Sequence, residues 1–226
     1  MREICYKCFR PSETCLCRFA PPFDSGIKFL FLMHPKEAKR NRTGTGRLAH
    51  AALIDSEILV GIDFTKNKRL CELLSDNQYY PVLLYPDENA LTPQTEDFKI
   101  KIGKRKLLAI IIDSTWFCSK KIIRLSTNIM SLPKLTFAKS YRSIYTFKKE
   151  PNEECVSTIE TCYYLIKESQ ESGIVDKSMN PDCLMSAFKE LIKVQLQKEN
   201  DRIDGKLPNS HATDFKYTKK KAIPDF

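Results

Sequence analysis

The chain has 226 residues, of which 42% are hydrophobic and only 7 are glycine, so the composition excludes collagen-like and disordered proteins and predicts a globular fold with a full core. Its 37 basic residues outnumber 28 acidic ones, and the formal charge of +9 favours a polyanionic partner, with nucleic acid preferred over a membrane surface. No apolar run has the length of a membrane span, and the chain opens without a signal-peptide pattern, so we expect a cytoplasmic protein.

Four cysteines lie within the first 17 residues, spaced Cys-x2-Cys-x6-Cys-x-Cys: Cys5, Cys8, Cys15 and Cys17. In a reducing compartment such a cluster favours a metal over disulfides. Four thiolates form a closed tetrahedral zinc site, which is structural because no position is left for substrate. The ion would stabilise a segment too short to bury its own core. We therefore predict a zinc-binding module over residues 1–22 and expect most of the other cysteines to be small buried apolar residues.

Apolar runs alternate with helical patterns along the rest of the chain. Strands are predicted at 27–33, 58–60, 80–85, 107–113 and 135–137, and helices at 48–53, 67–74, 119–126, 156–166 and 184–196. This alternation predicts an α/β fold with a mostly parallel sheet and helices on both faces. We expect this domain to occupy residues 23–200, followed by a polar, basic tail over 201–226 that lies loosely on the surface.

Unusual residues cluster where the predicted strands end. His34-Pro35 follows the first strand, Pro86-Asp87-Glu88 the third, Asp113 the fourth and Lys139 to Arg142 the fifth. If the strands are parallel, these loops meet at one edge of the sheet, where open α/β sheets bind ligands. At this edge Asp113-Ser114-Thr115-Trp116 contains the only tryptophan of the chain, although a helix cap with a core tryptophan is the alternative.

The loop from His34 to Arg47 has five basic residues against one acidic residue and ends in alternating Thr and Gly before a helix. Such a loop suits a phosphate, with Lys39, Arg40 and Arg42 as charge partners, or it is an ordinary solvated loop. It is not a Walker A loop, which disfavours nucleoside-triphosphate hydrolysis. His34 is either a site residue or a structural histidine, and His50 is expected to be structural.

Residues 140–151 interleave aromatic and cationic side chains, a pattern that suits unpaired bases and phosphates. Just beyond them, Ser157 or Thr158 either caps a helix or faces the ligand crevice.

Together these motifs resemble the DTW-domain family over residues 5 to about 197. The resemblance rests on the four cysteines, His34-Pro35-Lys36-Glu37 with the following Thr-Gly-Arg, Asp113-Ser114-Thr115-Trp116, Ser140-Tyr141-Arg142, and Lys149-Glu150-Pro151 followed by the segment from Glu154 to Glu160. Each motif is weak alone, but their order is specific.

The resemblance implies a tRNA-uridine aminocarboxypropyltransferase, which moves the 3-amino-3-carboxypropyl group from S-adenosylmethionine to N3 of a uridine in tRNA and releases methylthioadenosine. It also implies a SPOUT-like fold with a trefoil knot, and it leaves a monomer or a homodimer open. Asp113 would be the general base or would bind the donor's amino group. By analogy, the donor would contact Tyr85, Pro86, Asp113, Thr115, Trp116, Ser157 and Thr158. The expected tRNA contacts are Lys39, Arg40, Arg42, Arg47, Arg142, Lys148 and Lys149, of which Arg142 and Lys149 could instead meet the donor carboxylate.

Three other functions are compatible with parts of the sequence. A zinc-knuckle RNA-binding protein without activity accounts for the cysteines and the charge but leaves the strand ends unexplained. An RNA methyltransferase would use the same donor. A phosphohydrolase with Asp113 as nucleophile is disfavoured because Thr115 stands where such enzymes carry a second aspartate.

Overall fold

A computed structural model describes residues 3–39, 44–145, 155–207 and 219–226. Within them, five strands form a single sheet in the order β2-β1-β4-β3-β5, with every neighbouring pair parallel. The strands are β1 (Lys28–Met33), β2 (Ser56–Val60), β3 (Tyr79–Leu84), β4 (Lys106–Asp113) and β5 (Lys134–Leu135). The predicted α/β fold with a parallel sheet is confirmed, and all the strand ends considered above therefore lie at one edge.

Eight α-helices accompany the strands in the described ranges. They are α1 (Pro35–Lys39), α2 (Gly46–Ala52), α3 (Lys68–Ser75), α4 (Glu96–Ile102), α5 (Trp116–Leu125), α6 (Thr127–Met130), α7 (Thr158–Glu171) and α8 (Asp182–Ile203). Of these, α1, α4 and α6 were not predicted, because each has only four to seven residues and buries at most two side chains. The helix predicted from residue 119 begins at Trp116 instead.

The sheet separates two apolar clusters, because successive side chains of a strand point to opposite faces. From β4, Leu107, Ala109 and Ile111 join the cluster formed with α2, α7 and α8. Leu108 and Ile110 join the cluster formed with α3, α5 and α6. Helices therefore cover both faces, as predicted. The same alternation directs Asp113, the last residue of β4, towards α2 and α7.

The N-terminal segment packs onto the first of these clusters. Leu16 and Ala20 are almost fully buried in it. From α2, the guanidinium of Arg47 lies 4.3 Å above the ring of Phe9 and donates a hydrogen bond to the carbonyl oxygen of Ala38 at 3.1 Å. Arg47 thus joins the cysteine-containing segment to the start of α2.

The C-terminal end of the chain lies beside α8. This helix continues to Ile203, beyond the residue at which we predicted the tail to begin. The side-chain amide of Asn200 bonds both the carbonyl oxygen and the N–H of Lys221, at 2.9 and 3.2 Å. At least this part of the tail is therefore held against the helix. In the portion of the chain that the structure describes, no helix is long and apolar enough to span a membrane.

Candidate active site

The carboxylate of Asp113 is the centre of the candidate site. Asp113 is 7% exposed and ends β4 beside Met33 of β1. Its main-chain oxygen accepts a hydrogen bond from the N–H of His34 at 3.2 Å. Its Oδ1 accepts a hydrogen bond from the hydroxyl of Thr158 at 2.7 Å, at the first residue of α7. The residue that follows β1, the last residue of β4 and the first residue of α7, far apart in sequence, therefore meet at Asp113.

Gly46 lies against the same Asp113 carboxylate that the Thr158 hydroxyl bonds. A Cβ built on Gly46 would stand 2.6 Å from Cγ of Asp113 and closer still to Oδ2, a separation that real side chains do not adopt. The absence of a side chain at the first residue of α2 lets the helix approach the end of β4. Gly46 is the glycine of the Thr-Gly-Arg motif, so this motif meets the Asp113 and Thr158 motifs at the carboxylate. We expected the glycine to serve phosphate binding, and nothing in the sequence indicated its contact with Asp113.

Ser157 and Thr158 divide the two roles that the sequence left open. Ser157 is the N-cap residue of α7, and its N–H donates to Oε2 of Glu160 at 2.7 Å. Thr158 directs its hydroxyl to Asp113. Capping therefore falls to the Ser157 position, whereas Thr158 faces the site.

Two neighbours of Asp113 are electrically neutral groups. Nδ1 of His34 accepts the N–H of Lys36 at 3.1 Å, and burial together with the charges of Lys36 and Lys121 lowers the pKa of His34. Cys162 lies one turn after Thr158 on α7, and burial followed by the charge of Asp113 raises the pKa of its thiol well above the usual value. Neither group is therefore poised as a charged partner or nucleophile near neutral pH.

Two further carboxylates of α7 are fully buried and hold the segment that follows β5. Glu160 accepts hydrogen bonds from the hydroxyl of Ser143 at 2.7 Å and the N–H of Ile144 at 2.9 Å. Because buried carboxylates are stable only when they are hydrogen-bonded, these bonds fix the backbone of the segment.

Glu168 repeats this arrangement two turns later. It accepts the N–H groups of Ala138 at 2.9 Å and Lys139 at 3.1 Å, and the hydroxyl of Tyr141 at 3.1 Å. The ring of Tyr141 stacks on that of Tyr164 with centroids 3.8 Å apart. Burial and the nearby charge of Glu168 raise the pKa of Tyr141. Its ring is thus occupied within the chain, contrary to our expectation that the aromatic residues of 140–151 are displayed for bases.

For the other predicted site residues, the structure gives their exposure and packing. Thr115 is the N-cap residue of α5, and Trp116 beside it is 44% exposed. Tyr85 packs on the opposite cluster from Asp113, and Pro86 is exposed. Lys39 and Arg142 are exposed, whereas Arg47 makes the internal contacts described above. The predicted contacts Arg40, Arg42, Lys148 and Lys149 fall outside the described residues.

The four N-terminal cysteines form the predicted cluster. Their sulfur atoms all lie within 4.8 Å of one another. Cys5 is 3.9 Å from Cys17, and Cys8 is 3.8 Å from Cys15. Zinc–sulfur bonds of about 2.3 Å in a tetrahedron place the sulfurs about 3.8 Å apart, so the arrangement fits a zinc ion. None of the nine cysteines, all of them in described ranges, forms a disulfide.

Substituting Gly46 with Ala should lower the free energy of unfolding by about 1–3 kcal/mol, because the new methyl group overlaps the Asp113 carboxylate. Chemical denaturation of the single variant, of Asp113→Ala and of the double variant measures the coupling. Once the carboxylate is absent, alanine should become neutral or stabilising, since its helix propensity exceeds that of glycine. An equal loss in both backgrounds would show that the contact with Asp113 is not the cause.

Residues 2–196 match the DTW domain. The tRNA-uridine aminocarboxypropyltransferase 2 of Drosophila melanogaster is 28% identical over 166 residues, which are 71% of this chain and 64% of that relative. The chain therefore matches less than two thirds of the relative's length. No solved structure matches significantly.

Proposed function

Because this chain belongs to the DTW-domain family, we propose that it transfers the 3-amino-3-carboxypropyl group of S-adenosylmethionine to N3 of a uridine in tRNA. The relative named as such a transferase supports this reaction. The observation that carries the proposal is the convergence of three family-like motifs on Asp113, through Gly46, Thr158 and Asp113 itself. A relation to SPOUT methyltransferases, with a trefoil knot, is part of the proposal.

The donor, a substrate consumed in the reaction, supplies an electrophilic carbon next to a sulfonium. The balanced transfer forms a bond from N3 to that carbon, breaks the carbon–sulfur bond and leaves its electron pair on sulfur as methylthioadenosine. The N3 proton must leave the uridine. The protein therefore has to align two substrates and accept one proton.

Asp113 is the group that we assign to this proton or to the ammonium of the donor. Thr158 fixes the orientation of Oδ1, and the backbone of Gly46 confines Oδ2. Burial at 7% exposure limits solvent screening, so the carboxylate interacts strongly with a cation or an acidic N–H. The two roles predict different effects on donor binding and are separated by experiment below.

The remaining assignments follow from position at the same edge. The exposed ring of Trp116 offers an apolar surface for adenine, next to Thr115. Thr158, whose hydroxyl bonds Asp113, forms the side of the donor site nearest that carboxylate, and Ser157, the N-cap residue before it, stays a proposed donor contact. Tyr85 and Pro86 remain proposed donor contacts, and the four cysteines are the proposed ligands of a structural zinc ion.

Mass spectrometry of nucleosides tests the reaction. Unmodified transcribed tRNA is incubated with the whole protein and S-adenosylmethionine, then digested beside a sample without protein. We expect one uridine to gain the aminocarboxypropyl mass and methylthioadenosine to form in equal amount. S-adenosylhomocysteine with a methylated base would identify a methyltransferase. No product together with no donor binding in calorimetry would support an RNA-binding protein without activity.

A further inference from the structure

The solvent-facing side of α5 carries aromatic and cationic side chains only a few residues from Asp113. Phe117 is 83% exposed and Trp116 is 44% exposed. Lys120, Lys121 and Arg124 are exposed on the same helix. Lys120 follows Trp116 by one helical turn, and Lys121 follows Phe117 by one turn. Each ring therefore has a cation beside it on the helix surface, and the two ring–cation pairs are adjacent. We call these five residues the α5 face.

The opposite side of α5 anchors the helix. Cys118, Ser119 and Ile122 are buried, and Ile122 joins the apolar cluster beneath the helix. The N–H of Ser119 bonds the carbonyl oxygen of Thr115 at 2.8 Å, so the first turn follows closely after β4. The α5 face is therefore held at a fixed position on the helix that begins three residues after Asp113, on the side of the sheet opposite α2 and α7.

The charge of the α5 face reaches the end of β1 as well. Lys121 is one of the groups that depress the pKa of His34, the residue whose N–H bonds the main chain of Asp113. No aspartate or glutamate occurs between Trp116 and Leu125. The helix thus presents cations without the intervening carboxylates that usually neutralise a solvated helix face.

A single exposed phenylalanine is ordinary in a folded protein. The α5 face differs because a second ring is adjacent and because all its charges are positive. Aromatic rings stack on unpaired bases of any identity, while neighbouring cations pair with the phosphates. Double-stranded RNA offers no unstacked base to such a ring, so a single-stranded loop is the partner that matches this chemistry.

We propose that the α5 face binds the single-stranded tRNA loop that contains the modified uridine, with Phe117 stacked on an unpaired base and Lys120, Lys121 and Arg124 paired with phosphates, while Trp116 at its edge keeps its proposed contact with the donor adenine. This inference rests on the proposed tRNA substrate, and it assigns a binding surface outside the predicted phosphate loop and the 140–151 segment.

The test measures the affinity of the full protein for unmodified tRNA by fluorescence anisotropy. Phe117→Ala should weaken binding about tenfold, and Phe117→Tyr should restore it because a ring is still present. Ile100→Ala is the matched control: Ile100 is 71% exposed on α4 between Lys99 and Lys101, and it should bind like the wild type. Donor affinity in calorimetry should be equal in all three variants, which excludes misfolding.

Charge variants test the phosphate contacts. Lys120→Gln and Lys121→Gln should each reduce the slope of log affinity against log salt by about one. Lys104→Gln, between α4 and β4, should leave the slope unchanged. A duplex RNA competitor should displace bound tRNA from the protein less well than a single-stranded RNA oligonucleotide of the same base composition.

The outcomes separate this inference from the proposed reaction. Wild-type tRNA affinity in Phe117→Ala, or an equal loss in Ile100→Ala, would overturn the assignment of the α5 face even if transfer proceeds normally. Protein that binds tRNA through Phe117 but forms no methylthioadenosine would instead overturn the reaction. A wild-type protein without measurable tRNA binding would overturn the inference directly.

Discussion

Replacing Asp113 with Asn should lower the rate of methylthioadenosine release about a hundredfold or more while the fold is retained. The amide has nearly the shape of the carboxylate, and its oxygen still accepts the Thr158 hydroxyl. It carries no negative charge and cannot take up the N3 proton. Single-turnover assays with saturating donor and tRNA measure the chemical step.

Donor calorimetry on the same variant distinguishes the two roles of Asp113. If the carboxylate is the general base, donor affinity stays near that of the wild type. If it binds the donor ammonium, affinity falls together with the rate. Asp97→Asn on the exposed side of α4 is the matched control and should be fully active. Full activity of Asp113→Asn would remove the carboxylate from the mechanism.

Loss of the proposed zinc ion should lower the free energy of unfolding more than the Gly46→Ala substitution does. The zinc proposal predicts one ion per chain, and Cys5→Ser should abolish stoichiometric zinc and lower the free energy of unfolding by about 3 kcal/mol or more. For a chain of this size that corresponds to a fall of roughly 6–12 °C in the unfolding midpoint. Cys5 is only half-buried, so the substitution itself creates little cavity.

The loss of stability should affect more than the cysteine-containing segment itself. This segment packs on the main core through Leu16 and Ala20, and its Phe9 contacts Arg47 of α2. Calorimetry with parallel metal analysis provides the measurement. Cys71→Ser, an exposed cysteine on α3, should retain both zinc and midpoint. Protein that is purified without zinc, and whose midpoint is unchanged by zinc or a chelator, would contradict the assignment.

The strands could be predicted from the sequence because their signal is local. β4 is buried on both faces, so every residue from Leu107 to Ile111 is apolar and the run identifies itself. The parallel arrangement followed from the intervening helices. The short helices give no comparable local signal. For example, α4 buries only Phe98 and Ile102, and two apolar positions are too few to show the repeat of an amphipathic helix.

The position of Asp113 at the end of β4 could be predicted from the sequence, but its contacts could not. The strand-end rule indicated where Asp113 would lie. Its contact with Gly46 joins residues 67 positions apart through the absence of a side chain, which leaves no pattern in composition. Glu160 and Glu168 look like polar helix positions, and their burial depends on backbone N–H groups whose placement only the tertiary fold provides.

The hydrogen bonds of α7 restrict how this protein can vary in length. Thr158 must meet Asp113 at one end of the helix, while Glu168 must meet the backbone at Ala138 and Lys139 further along. One inserted residue between them would rotate the two halves by about 100° relative to each other, and both sets of partners could not be kept. Insertions and deletions among natural homologues should therefore be absent from this stretch and accumulate in surface loops.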